Sequence, residues 1–158
     1  MSSSFSSVQP QETRKDLTIP FLLLIWFLGT SGAIAAQELI ARLKLEREVA
    51  TLNSLRTIHE IEMQFKELNL RFATLEELAE STPLDRKYTG GKVVSGYVYS
   101  TSVVSAESYC VHAVRASDAT AHGDFVVCED GIIRFVEQKT PGLVKRGEGV
   151  ALIGTENK

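Results

Sequence analysis

Ile19-Pro-Phe-Leu-Leu-Leu-Ile-Trp-Phe-Leu-Gly-Thr-Ser-Gly-Ala-Ile-Ala-Ala36 is an apolar block without a charge, and Gln37-Glu-Leu-Ile-Ala-Arg-Leu-Lys-Leu-Glu-Arg-Glu48 comes directly after it. From Gln37 to Leu68 there is neither Gly nor Pro. One helix over the whole run would be ~75 Å long at 1.5 Å per residue. The block of roughly 18 residues is just enough to cross a ~30 Å hydrocarbon core. The second half cannot enter lipid, because Glu38, Arg42, Lys44, Glu46, Arg47 and Glu48 begin it. The expectation is a membrane-anchored helix that emerges into water and carries the remainder of the chain.

Around that rod the chain is small. It has 158 residues, with 17 Lys and Arg against 20 Asp and Glu. That leaves room for one soluble domain after the anchor. No basic block marks a nucleic-acid surface. His59, His112, His122, Cys110 and Cys128 are too scattered for a zinc pattern. No cofactor or metal site is expected.

Upstream, residues 1–18 are Ser- and Gln-rich without apolar period and read as a disordered leader. Arg14 and Lys15 hold the amino end in the cytoplasm under the positive-inside tendency, sending the rest across. Residues 19–36 are then a transmembrane segment. The same stretch also fits a secretory signal, with Ala33-Ile-Ala35 as an A-x-A cleavage site. Helical periodicity running through Ala35 favours the anchor. Either way the soluble part lies outside the cytoplasm, and the anchored form is a single-pass inner-membrane protein.

Downstream, Leu39, Leu43, Leu45, Val49, Leu52, Leu55, Ile58, Ile61, Phe65 and Leu68 recur mostly at steps of three and four, which predicts one apolar helical face. Glu38–Arg42 and Glu62–Lys66 are i,i+4 pairs in the better order, each worth a few tenths of a kcal/mol. From Ile58 onward the face is expected to pack on its own domain. Leu39, Leu43, Val49, Leu52 and Leu55 are candidates for helix packing against another subunit.

Thr74-Leu-Glu-Glu77 is a capping box that opens a short helix over Leu75 to Glu80, and Pro83 lies just past its end. Thr89-Gly90-Gly91 marks a turn. The period then becomes two, with strands predicted at Ser95–Thr101, Tyr109–Arg115, Asp124–Cys128 and Ile132–Val136, and a turn at Glu129-Asp130-Gly131. Short connections favour an antiparallel meander. The fold class is α+β: a long N-terminal helix, transmembrane then amphipathic, packed on a small antiparallel sheet over residues 37–138. Thr140-Pro-Gly142 ends the last strand, and 139–158 read as a flexible tail.

The strands either side of the 116–123 loop are symmetric about residue 119, so Cys110 and Cys128 fall opposite each other at a separation a disulfide can span. Outside the cytoplasm the pair can oxidise, closing a loop of roughly 18 residues worth about 3 kcal/mol. Two buried thiols are the alternative. His112 shares a face with Cys110, but no carboxylate completes a catalytic set, and the chain is not expected to be an enzyme. His59 and His122 read as solvated. Asp118, Asp124, Glu129 and Asp130 do not have a calcium-loop spacing. Tyr97 and Tyr99 read as sheet packing.

Ser54-Leu-Arg-Thr-Ile58, Phe72-Ala-Thr-Leu-Glu-Glu-Leu78, Ser95-Gly-Tyr-Val-Tyr99, Gly123-Asp-Phe-Val-Val127 and Gly131-Ile-Ile-Arg134 occur in that order over most of 36–135. Together they resemble type IV pilins and the pseudopilins of type II secretion. The resemblance implies a structural subunit that associates with other pilin or pseudopilin subunits through its N-terminal helix. The amino end departs from the family. No Gly precedes Gly29, and aligned on the shared words the prepilin-peptidase cut falls at Lys15 and the family's glutamate at Pro20. In the family that glutamate neutralises a neighbour's new N-terminal amine inside the apolar core, where an unpaired charge is costly. Without the cut there is no amine to neutralise, and a retained polar leader should oppose extraction from the membrane. The alternative is a secreted or periplasmic α+β binding domain, released by signal peptidase after Ala35.

Overall fold

The computed structural model describes the backbone of residues 18–152, with side chains from Gln37 onward except Val104. The leader, the side chains of the expected anchor at 19–36, the A-x-A site and residues 153–158 lie outside the described residues. Helix α1 spans Thr18–Asn69. The chain divides into two compact units, residues 1–39 and 40–158. Among the described residues, no helix is long and apolar enough to cross a membrane.

The second unit is α+β. Helix α2 (Leu75–Ser81) starts at the expected cap, where Thr74 Oγ1 accepts from Glu77 N–H at 3.2 Å. A single 3-10 turn, Arg86–Tyr88, leads into the sheet. Six strands come next: β1 (Val93–Val94), β2 (Tyr97–Ser105), β3 (Ser108–Arg115), β4 (Asp124–Cys128), β5 (Ile133–Val136) and β6 (Val150–Ala151). They pair in chain order, each antiparallel to the next. The meander therefore extends one strand beyond the predicted four at each end.

Ser95-Gly96 is a turn, where the sequence predicts the start of a strand. Val94 pairs with Tyr97 across it, and Ser95 and Gly96 have φ of 53° and 85°. Two central residues with positive φ make the tight hairpin whose twist suits the flanking strands. This turn creates β1 and sets the register of β2.

One side of the sheet packs on the helix. Tyr97, Tyr99, Tyr109, Val111, Phe125 and Val127 meet Leu55, Ile58 and Phe65 of α1 and Leu75 and Leu78 of α2 in a single core. The tyrosines thus pack as the alternation predicts. On the other side Cys110, Val126, Cys128 and Val144 form a second buried cluster.

Val144 lies in the stretch predicted as a flexible tail, and up to Leu152 that stretch makes contacts with the sheet. Gly142 N–H donates to Asp124 Oδ2 at 3.1 Å, Val144 is buried, and β6 pairs with β5 through Phe135↔Val150 and Arg134↔Ala151. These partners are distant in sequence, so no local period announces them. Gly123, at the start of β4, has room for no side chain: a Cβ there would sit 2.5 Å from Val136 O.

Candidate functional site

The face of α1 turned toward the domain runs through Lys44, Glu48, Thr51, Leu55, Ile58, Glu62 and Phe65, again at steps of three and four. Thr51, Leu55, Ile58, Glu62 and Phe65 are buried. The predicted apolar face is therefore not the core-facing line over its whole length. Of the five candidate packing residues, Leu55 is fully buried in the domain's own core and Leu52 packs against that core. Leu39, Leu43 and Val49 are 58%, 42% and 49% exposed, and Ile40 and Leu45 are exposed beside them.

At 3.6 residues per turn, Leu43 and Val49 point ~120° apart around the helix. The uncovered residues thus make two lines, one through Leu43 and one through Leu45 and Val49.

Between these lines the charged residues of the same turns are used on the domain. Lys44 Nζ donates to Asp118 O at 3.2 Å and Arg47 Nη1 to Thr120 O at 3.4 Å. Glu48 Oε1 accepts from the backbone N–H of His122 at 2.9 Å and bonds its Nδ1 at 3.0 Å. The β3–β4 loop is thereby clamped to α1 just below the exposed leucines. His122, expected to be solvated, remains half-exposed but holds this clamp.

The cysteines are oxidised: Cys110 and Cys128 form a disulfide with Cα atoms 4.0 Å apart, as direct partners across β3 and β4. Their pairing about residue 119 is the predicted one. Both are buried, so neither sulfur is available as a nucleophile. His112, on the same face, bonds Ser102 Oγ through Nε2 at 3.0 Å, while its Nδ1 is buried with no partner among the described residues. Burial lowers the His112 pKa. A serine–histidine contact without a carboxylate on the far ring nitrogen lacks the group that orients a catalytic base.

The four acidic residues weighed as a calcium loop are held by arginines. Asp118 and Asp124 both bind Arg115, Asp130 binds Arg134 at 2.7 Å, and Glu129 binds Arg146. Among the described residues no group of three or more His, Cys, Asp or Glu could hold a metal ion.

A titratable cluster that the sequence did not announce sits where α1 meets the sheet. His59, predicted as solvated, is half-buried: its ring lies nearly parallel to that of Tyr109, and its Nδ1 hydrogen-bonds the Tyr109 hydroxyl. Burial lowers its pKa, against the raising effect of Asp130 and Glu60. Burial likewise raises the Tyr109 pKa. One turn on, Glu62 is fully buried. Its Oε2 accepts from Ala73 N–H at 3.1 Å, while Oε1 has no partner among the described residues. The predicted Glu62–Lys66 pair is replaced by this arrangement, and the Lys66 ammonium lies over the Phe72 ring, 4.5 Å from its centroid. Desolvation pushes the Glu62 carboxyl up to about 7, against the Ala73 hydrogen bond that lowers it. The only sequence signal for this site is a Glu at a core-facing step of the helix.

Set beside protein-family models, curated proteins and solved structures, the chain finds no match in any of the three.

Proposed function

We propose that the chain is a pilin-like or pseudopilin-like structural subunit, anchored in the inner membrane by 19–36 with its α+β head outside the cytoplasm. The observation that carries this reading is the pair of uncovered apolar lines on α1, through Leu43 and through Leu45 and Val49. A helix meant only to hold up its own head would gain nothing from leucines on sides the head does not cover. Two lines suit a helix enclosed by several neighbours better than a single two-helix seam. The disulfide supports a location outside the cytoplasm, since such bonds persist in oxidising compartments. The order of short sequence motifs along 36–135 supports kinship with filament subunits.

The test is fractionation of the full chain and then mild-detergent co-purification. A carbonate-resistant membrane protein with its leader intact, recovered with other pilin or pseudopilin subunits, supports the reading. A mature protein beginning at Ala36 and found wholly in the soluble fraction replaces it with a secreted α+β binding domain.

A further inference from the structure

Glu62 is an unusual residue for its position. It occupies a core-facing step of α1 between Ile58 and Phe65, fully buried, with one carboxyl oxygen unpartnered among the described residues. Among the described residues its one hydrogen bond ties it to Ala73, in the connector that joins α1 to α2. The charged groups around it are engaged elsewhere or have the wrong sign. On α1, His59 is bonded to Tyr109 and Lys66 lies over Phe72. In the connector, Arg71 is paired with Glu77 of α2, and Glu77 itself disfavours a charge on Glu62. From the sheet comes the Tyr109 hydroxyl on β3, and Asp130 in the β4–β5 turn acts on that hydroxyl and on His59. Among the described residues a carboxylate in this setting has no counter-cation, and burying an unpaired charge is costly.

The connector holds one residue in an unfavourable backbone conformation. Leu70 has φ of 58°, a left-handed conformation that a bulky side chain adopts only under strain. The side chains of Leu70 and, in the last turn of α1, Leu68 are 82% and 84% exposed, while the Leu70 N–H donates to Lys66 O at 2.8 Å. Phe72 and Ala73, by contrast, are buried and depend on the connector lying flat.

We propose that Glu62 is a proton-operated latch: protonated, it holds the Leu70–Thr74 connector against the helix–sheet seam, and ionised, it lets the connector lift and bare Phe72 beside Leu68 and Leu70. The lifted state presents three apolar side chains at the end of α1 farthest from the expected anchor. The latch acts within one subunit and does not rest on the assembly reading.

The folded carboxyl at about 7 and its ordinary value of 4.5 bound the working range. The closed state binds the extra proton, so opening grows as pH rises from 4.5 and levels off above about 7. The limit is about 300-fold, the ratio that this difference in proton affinity sets. The experiment is hydrogen exchange on the detergent-solubilised full chain, tracking the Ala73 amide from pH 4.5 to 8.5 with intrinsic exchange rates divided out. The expected result is an opening constant that climbs over this range, with the β3 amides of Val111 and Ala113 unchanged. The Glu62→Gln variant, which keeps an acceptor for Ala73, should stay closed and flat across the range, and His59→Gln should keep the wild-type profile. A pH-independent Ala73 in the wild type, a parallel rise at Val111 and Ala113, or an unaltered profile in Glu62→Gln would each overturn the proposal. The first two need no variant to fold.

Discussion

Asp124 holds Arg115 by both ends: Oδ1 accepts from its backbone N–H at 2.8 Å and Oδ2 from Nη1 at 3.2 Å, with both residues buried. Oδ2 also accepts from the Gln138 amide and from Gly142 N–H, so one carboxylate joins the start of β4 to the end of β3 and to the C-terminal segment. Removing it takes the acceptor from the Arg115 and Gly142 backbone amides and leaves the buried guanidinium with the exposed Asp118 as its counter-charge. Asp124→Ala should cost about 3–5 kcal/mol in urea unfolding. Asp118→Ala, whose carboxylate meets Arg115 from the solvent side, should cost under about 1 kcal/mol. Equal losses in the two variants would show that burial does not separate the pairs.

The disulfide closes a short loop, its cysteines 18 positions apart in sequence. Replacing both with Ser should lower the unfolding free energy by about 3 kcal/mol in the chain-entropy account. The folded head should otherwise keep its far-ultraviolet spectrum, because the ladder either side of the bond remains. A urea midpoint unmoved by the double substitution would contradict this.

On α1, neighbouring apolar residues should respond differently. Leu55→Ala removes a fully buried side chain and should cost about 2–5 kcal/mol. Leu43→Glu and Val49→Glu change exposed positions and should shift stability by no more than about 0.5 kcal/mol. The same two changes should abolish co-purification with other subunits. If they leave it intact, the exposed lines are not the assembly surface.

His112 gives a pH signature of its own. Its folded pKa lies below the ordinary 6.5, because burial disfavours the charged ring. The unfolded chain therefore binds the proton first, and the stability due to neutral His112 is lost as pH falls from 6.5 through the folded value. The stability difference between the wild type and His112→Gln should accordingly shrink from pH 7 to pH 5. Glu62 and His59 titrate in both proteins and cancel in that difference. A constant gap would mean that the ring is not penalised.

Much of the sheet is legible in the sequence because its signals are local. The alternation from Tyr109 to Arg115 and from Asp124 to Cys128, with a loop symmetric about residue 119, is enough to set Cys110 against Cys128. The Thr74–Glu77 cap is equally local. What is hidden depends on distant partners. β6 is two residues long and is recognised only by what β5 offers it, and Val144 is buried by strands far behind it in the chain. The helix misleads for another reason. Its core-facing line includes Lys44, Glu48, Thr51 and Glu62, which a hydrophobic pattern skips, so the leucines that dominate the pattern lie partly on uncovered sides. Glu62 and His59 escape notice because burial, not residue type, makes them unusual.

The outermost strands, β1 and β6, are each only two residues long. A bordering strand invites foreign backbone to hydrogen-bond along it, and the invitation grows with its length. β1 shields only Tyr97 and Val98 of the nine-residue β2, so on that side the margin open to an added backbone is the run from Tyr99 to Ser105.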